Sequence, residues 1–483
     1  MPIVMNYEAM FGSETELITD TLMPDILPVT IRESVIHQAC KKAQKQKKWL
    51  LLFVVGTKPC FYKFWGSLQA AEKNDLPYLV INAGQHYDAI LTHGVKEFGY
   101  DDKIAVNLSI RGDLAQKAGE VIFKMSWLAR YLQKRYPDVV AVPVVLGDTI
   151  LTTTVPMAWM FSIHEKAIHN EAGLRSMYPS SVDELKKNIT VDSFIQKQFE
   201  DSASWKLLTV EPFPEQYDTQ TASMGCEYLF TPLDINKKHL MREGHPEENI
   251  FTIGGVVMDA LELKMKEKTS KSIFSVYPEL KTGSWIRVDV HRKENLTRRR
   301  LTNIVGALTE LVKRKYKINF IEMNAWKSAL QEYNLVKDIE KLKRHKNFLY
   351  TPIWKEYSHV IEFLRSKNCS LCLTDSGGLQ EELNMIGKPC LTLRFNTDRP
   401  ETVYEGKGNL LIPPVDKDFI ASAVDYVHKN KRLMERMRSP KPLYGHRAGG
   451  KFIEIITGLM KKKKHAKLFT WAQERLGFWQ EHN

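Results

Sequence analysis

The sequence predicts an α/β protein built from two doubly wound domains, and two observations carry that expectation. Short apolar runs of strand length alternate with helical stretches through Gly-containing turns, and the alternation occurs in two separate series along the chain. Short buried strands that alternate with helices form parallel sheets covered on both faces. In the first series, Leu50 to Val55 leads into Gly56-Thr57-Lys58-Pro59 and a helix to about Lys73. Tyr78 to Ile81 is followed by Gly84-Gln85-His86, and Val139 to Leu146 by Gly147-Asp148-Thr149 and a helix to Phe161. The second series begins near Ile286, includes Ile318 to Glu322, Phe348 to Tyr350 and Ser370 to Thr374, and ends near Leu410.

Around these series, residues 1–48 read as an added N-terminal segment, mostly helical. The expected domains are then 49–255 and 256–445, with C-terminal helices over 446–483 packing back on the first domain. The stretch from Ser176 to Phe213 is long for a connection and carries a helical pattern near Val182 to Glu200, which suggests a lid or a partner contact.

Composition excludes several classes. A chain of 483 residues with 43% hydrophobic and 10% aromatic content can bury two or three domain cores. No apolar run approaches the length of a membrane span, and Met1 to Asp20 carries acids without a basic leader region, so the expected location is the cytoplasm. The six cysteines do not make a disulfide framework. Cys369 and Cys372 stand at C-x-x-C spacing but have no second ligand pair nearby, so they read as buried thiols and no metal is expected. The formal charge of +12 is spread over clusters such as Lys41 to Lys48 and Lys461 to Lys464 without interleaved aromatics. They read as solvated helix faces, nucleic acid is not an expected partner, and the positive field would steer an anionic substrate toward the protein.

The chemistry is concentrated where strands end. Leu373-Thr374-Asp375-Ser376-Gly377-Gly378-Leu379-Gln380-Glu381-Glu382 runs from a strand through a small-residue turn into an acidic helix start. Backbone N–H groups at such a start point at an anion, glycines permit close approach, the Ser376 hydroxyl adds a donor, and Glu382 could accept from a ribose hydroxyl. The same turn can also cap a helix for structural reasons alone. Further clusters are Gly147-Asp148-Thr149, His169 to Arg175, Pro214-Glu215-Gln216 and His291-Arg292-Lys293-Glu294-Asn295. Each has a plain alternative: Asp148 could cap the following helix, and Glu171 could pair with Arg175.

Taken together, the clusters resemble the UDP-N-acetylglucosamine 2-epimerases of the non-hydrolysing type. The resemblance spans about Val54 to Ile453. It rests on Gly56-Thr57-Lys58-Pro59, Gly84 to Asp88, Gly147-Asp148-Thr149, Glu171 to Arg175, Pro214-Glu215, His291 to Asn295, Thr374 to Glu382 and Thr397 to Glu401. It implies a GT-B-like fold, with two Rossmann-like domains facing a central cleft. The first would be the sugar side and the second would bind UDP.

The implied reaction needs neither metal nor nicotinamide cofactor: UDP leaves C1 as a proton leaves C2, and the bound glycal is reprotonated on the other face and takes UDP back. Asp148, Glu171, Glu215 and His291 match the family's catalytic groups. Lys58, Lys63, Arg292, Ser376, Gly377, Gly378, Glu382 and Arg399 fall at substrate or UDP positions, and Gln85 and His86 match the border of a second sugar-nucleotide site. The implied partners are a UDP-sugar and a second copy of the chain, with a place in cell-surface polysaccharide synthesis.

Departures from the family lie toward the sugar end. Cys60 stands where the family has a carboxylate, Lys58 where it has arginine, and Thr219 where it has an active-site arginine. A GT-B glycosyltransferase, or a hydrolysing epimerase that releases free sugar, is therefore the alternative reaction.

Overall fold

The computed structural model describes residues 29–84, 95–100, 102–187, 189–199, 204–267 and 271–462. Its contacts divide the chain into two compact units, one formed by 1–174, 213–260 and 446–483, the other by 175–212 and 261–445.

The first unit is built on an eight-stranded sheet in the order Thr30–Ile31, Ile104–Asn107, Tyr78–Asn82, Leu50–Val55, Ala141–Leu146, Ala167–Asn170, Cys226–Thr231, Ile250–Thr252. All pairs are parallel except the first, where Thr30–Ile31 runs antiparallel to Ile104–Asn107. Leu50–Val55 and Ala141–Leu146 are buried at every position, as strands covered on both faces must be.

Residue 48 is not a boundary in this fold. Thr30–Ile31 extends the sheet, and the helix Glu33–Gln46 buries Ile36, Ala39, Cys40 and Ala43 in the same core as Leu52, Val54 and Leu128. At the other terminus, the helix Ala448–Lys461 lies on the helix Lys58–Lys73. A Cβ on Gly449 would come within 2.3 Å of the Gly66 carbonyl carbon, so only glycine allows this approach. Asp259 fixes the junction by accepting from the Gly449 N–H at 2.8 Å.

The second unit has a six-stranded, wholly parallel sheet in the order Phe348–Pro352, Lys317–Glu322, Trp285–Asp289, Cys369–Thr374, Cys390–Thr392, Asn409–Leu411. Residues 175–212 belong here and not with the first unit, which differs from the boundary expected from sequence. The physical reason is apolar burial: Phe194, Ile195 and Phe199 join the core that holds Ile420, Val424 and Val427, and Phe194 meets Phe419 edge-on. The Gln198 side-chain amide bonds Leu411 through both its donor and its acceptor, at 2.9 and 2.7 Å. A short antiparallel pair, Ser176–Pro179 with Trp205–Leu208, closes the segment.

Each sheet reverses its strand order once. The reversal lies between Leu50–Val55 and Ala141–Leu146 in the first, and between Trp285–Asp289 and Cys369–Thr374 in the second. Ligands of open parallel sheets bind beyond the carboxyl ends of the strands at such a switch point. The residues that follow these four strands are Lys58 and Lys63, Gly147 and Asp148, His291 and Arg292, and Ser376 to Gly378.

Candidate active site

In the first unit, the turn after Ala141–Leu146 and the turn after Ala167–Asn170 are locked together. The Gly147 N–H donates to the Asn170 carbonyl at 2.9 Å, and His169 Nε2 lies 2.8 Å from the Gly147 carbonyl. Gly147 has φ of 73°, and a Cβ there would stand 2.8 Å from Glu171 Oε2. The left-handed φ favours glycine, and a side chain there would displace the Glu171 carboxylate. Glu171 is itself left-handed, at φ 65°, and 1% exposed. A non-glycine residue held there is strained, and the surroundings must impose the conformation.

The Glu171 carboxylate receives Lys63, whose Nζ lies 2.8 Å from Oε1 and 2.6 Å from Oε2. Lys63 projects from the helix Lys58–Lys73 on the far side of the switch point, so the pair bridges it. Asp148 does not cap the helix Ile150–Ile163, because the N-cap residue is Thr149. Glu215 opens the helix Glu215–Met224 behind the N-cap Pro214, and Asp148 and Glu215 are both half-buried. Lys58 is half-buried at the first position of its helix. Gln85 and His86 lie outside the described residues.

Sequence reasoning missed Asp218, one turn beyond Glu215 and fully buried. Burial raises its carboxyl to about 7, Asp148 and Glu215 add to the rise, and a hydrogen bond from Thr153 at 3.0 Å opposes it. The available signal was the i,i+3 spacing of two acids on one short helix.

In the second unit, Ser376 is the N-cap of the helix Gly377–Ile386, and its hydroxyl accepts from the Leu379 N–H at 3.4 Å. Gly378 has open space where a Cβ would be, while a Cβ on Gly377 would stand 2.8 Å from Asp398 Oδ2 and 3.3 Å from an Arg292 Nη. The helix start thus offers N–H groups beside a guanidinium, an arrangement that suits a diphosphate.

Asp375, passed over as part of the turn, holds the partner loop. Fully buried, it accepts from the backbone N–H groups of His291 and Arg292, each at 3.0 Å, and from Asn295 Nδ2 at 3.0 Å. His291 Nδ1 lies 3.3 Å from Asp375 Oδ1. The structure therefore brings His291, Arg292 and the Ser376 turn together through one carboxylate. Glu382 is buried on the same helix.

Arg399 is placed differently from a residue that reaches for a ligand. It is 2% exposed and engages Glu381 through Nε and Asp398 through Nη1, the latter at 2.6 Å. Burial alone would raise Asp398, but Arg394, Arg399 and Arg292 outweigh it and hold this carboxyl well below the usual range. Arg399 is a buried strut of the loop. All six cysteines are buried and free, burial raises the Cys369 and Cys372 thiols, and among the described residues no acidic, His or Cys cluster could hold a metal.

Comparisons with known proteins bear on the fold and the family. A family model described as UDP-N-acetylglucosamine 2-epimerase matches residues 209–457. The UDP-N-acetylglucosamine 2-epimerase of Methanocaldococcus jannaschii is 30% identical over 415 residues, which cover 84% of this chain and 98% of the relative. That of Campylobacter jejuni is 26% identical, covering 84% and 97%.

Among solved structures, the M. jannaschii enzyme in complex with UDP-GlcNAc and UDP superposes with a TM-score of 0.66 at 27% identity, covering 84% of this chain and 99% of that one. The Neisseria meningitidis enzyme bound to UDP-GlcNAc has the same fold, with a TM-score of 0.67 at 23% identity and coverage of 85% and 99%. The motifs, the two doubly wound sheets and these matches over nearly the whole of each relative agree, and the chain belongs to the UDP-N-acetylglucosamine 2-epimerase family, with its GT-B fold.

Proposed function

We propose that the protein interconverts UDP-N-acetylglucosamine and its C2 epimer, UDP-N-acetylmannosamine, by elimination and re-addition of UDP. The supporting observation is the buried Glu171 paired with Lys63 across the first switch point, with the half-buried Asp148 in the turn that is hydrogen-bonded to the Glu171 turn; Glu215 is the third carboxylate of this reading. A C2 proton is weakly acidic, so its removal needs a positioned carboxylate base in a water-poor site. In the forward step a carboxylate takes the C2 proton, the C–H electrons form the C1–C2 double bond, and the C1–O bond breaks with its electrons leaving on UDP. In the return step a protonated group on the opposite face delivers a proton to C2 and UDP re-adds at C1.

The second unit's part in this reading is to receive the nucleotide, with the helix start at Ser376 to Gly378 and Arg292 on the diphosphate, His291 beside it and Glu382 on the ribose. Lys58 would lie near the nucleotide. Arg399 is proposed only to hold the loop that carries Asp398. The assembly in this reading is a homodimer, checked by light scattering.

Incubation with UDP-N-acetylglucosamine in D2O is the test. Deuterium at C2 of both epimers, with UDP-sugar as the sole product, supports the proposal. Free N-acetylmannosamine plus UDP replaces it with the hydrolysing reaction, and a new glycoside in the presence of an acceptor replaces it with glycosyl transfer.

A further inference from the structure

The strand Trp285–Asp289 carries two charged side chains in the interior of the second unit. Arg287 and Asp289 are each 6% exposed, and Arg287 Nε lies 3.4 Å from Asp289 Oδ2. The Arg287 guanidinium stands over the Trp354 ring, 4.7 Å from its centroid. The other carboxylate oxygen leads to the phosphate turn. Asp289 Oδ1 accepts from the Thr374 hydroxyl, and Thr374 Oγ1 in turn accepts from the Ser376 N–H at 3.0 Å. Asp289 and Thr374 are each the last residue of a strand, and they stand opposite one another in the parallel pair that flanks the switch point.

A carboxylate can only accept, so it commits the Thr374 O–H to itself and turns the lone pairs of that hydroxyl toward the Ser376 N–H. Ser376 Oγ takes the Leu379 N–H at 3.4 Å. Two donors of the turn are thereby engaged inside it. The N–H groups of Gly377 and Gly378 occupy the first two helical positions, which have no intrahelical acceptor, and the Ser376 hydroxyl keeps its own proton to donate.

We propose that Asp289 is a positioning residue for the diphosphate: it fixes the Thr374 hydroxyl, and through it the Ser376 amide, so that the remaining donors of the turn face the ligand together. The proposal rests on the reading that this turn receives UDP. It adds that the side chain must be a carboxylate, because one oxygen has to accept from Thr374 while the other faces the Arg287 cation. An asparagine has one acceptor for the two tasks. Its amide nitrogen turned to Arg287 meets a cation, and turned to Thr374 it donates where the carboxylate accepts, so the hydroxyl loses its orientation.

The experiment measures UDP binding by calorimetry, Tm, and amide hydrogen exchange in the full-length wild type, Asp289→Asn, the double variant Arg287→Met with Asp289→Asn, Thr374→Val and Thr374→Ser. The Kd for UDP should rise about tenfold in Asp289→Asn and in Thr374→Val, the order of one hydrogen bond misdirected beside a charged ligand. In the double variant the cation is gone, the amide oxygen can turn to Thr374, and Kd should return to within about threefold of the wild type. Thr374→Ser keeps the hydroxyl and should also stay within about threefold. Exchange of the Ser376 amide, read without ligand from peptides spanning Thr374 to Leu379, should quicken in Asp289→Asn and Thr374→Val and slow again in the double variant.

A purely structural role would lower Tm in Asp289→Asn and leave Kd unchanged, and that result overturns the proposal. A double variant that binds UDP as weakly as Asp289→Asn does so too. If Asp289→Asn does not fold, equal Kd values in Thr374→Val and Thr374→Ser overturn it. A wild type that binds no UDP counts against the nucleotide reading. The amide exchange needs no ligand and still tests the hold of Asp289 on the turn, and exchange unchanged in Asp289→Asn and Thr374→Val overturns that hold.

Discussion

Lys63 Nζ stands 2.6 and 2.8 Å from the two carboxylate oxygens of Glu171, across 108 positions of sequence, and the Glu171 side chain is only 1% exposed. A buried carboxylate depends on the cation bound to it, since removing that partner takes away compensation for a charge held out of water.

Lys63→Met should therefore lower stability by about 3 kcal/mol, the usual effect of breaking a buried ion pair. Glu171→Gln with Lys63→Met should recover part of the loss, because neither charge is then stranded. Urea unfolding of the two single variants and the double variant measures both. Epimerisation should fall in every one of them, since Glu171 is proposed to act on the sugar.

Gly147→Ala introduces a methyl group at φ 73°, 2.8 Å from Glu171 Oε2. The backbone term alone costs about 1–2 kcal/mol, and the carboxylate must move away. Turnover should drop by more than about tenfold, because a displacement of order 1 Å in a positioned group is enough for a loss of that size. A variant that folds with unchanged kcat would show that the position of Glu171 is immaterial.

Asp375→Asn tests the second unit. Asp375 accepts from two backbone amides and from Asn295, and an amide nitrogen placed against any of those donors would be unsatisfied. Stability should fall by about 2 kcal/mol. Binding of UDP, followed by calorimetry, should weaken as the loop that carries His291 and Arg292 loosens. Tight UDP binding in the variant would mean that the loop is held by other contacts.

The sheets were legible in the sequence because every position of strands such as Leu50–Val55 is buried, so the apolar run and the strand coincide. The turns were legible because small residues and hydrogen-bond donors directly follow the strand ends. What could not be read is what depends on distant segments. Nothing in the run from Ser176 to Phe213 says that Phe194 and Ile195 find their core beside Val424, more than two hundred positions away, and the expected domain 49–255, which included that run, missed this. Residues 1–48 read as an added segment because a buried stripe of four residues on Glu33–Gln46 is too short a signal to tie that helix to the sheet that follows. Arg399 and Asp218 share a different cause: a charged residue in a motif reads as a ligand contact or as a surface group, and only burial separates those from a strut or an acid of the core.

Stability should decline as pH rises from 4 to 8, in the opposite sense to most paired carboxylates. Asp218 and Glu401 are both raised to about 7, each chiefly by burial. Glu401 is also acted on by Glu381 in the raising sense, while a 2.6 Å hydrogen bond from Tyr444 and the charge of Arg399 oppose the rise. For an acid whose folded value lies above its unfolded one, the folded state binds more protons, so stability is full below the unfolded value near 4 and is lost progressively up to the folded value near 7. Each group should cost on the order of 3 kcal/mol by pH 8.

Asp398 works the other way, held low by Arg394, Arg399 and Arg292, and its contribution is present above about pH 4 and lost below it. The two trends place the stability maximum on the acid side of neutrality. Calorimetry at pH 6 and pH 8 should show the higher Tm at pH 6, and Asp218→Asn and Glu401→Gln should each narrow the gap. Equal narrowing by an exposed control such as Glu435→Gln would mean that overall charge, and not these two buried carboxyls, sets the trend.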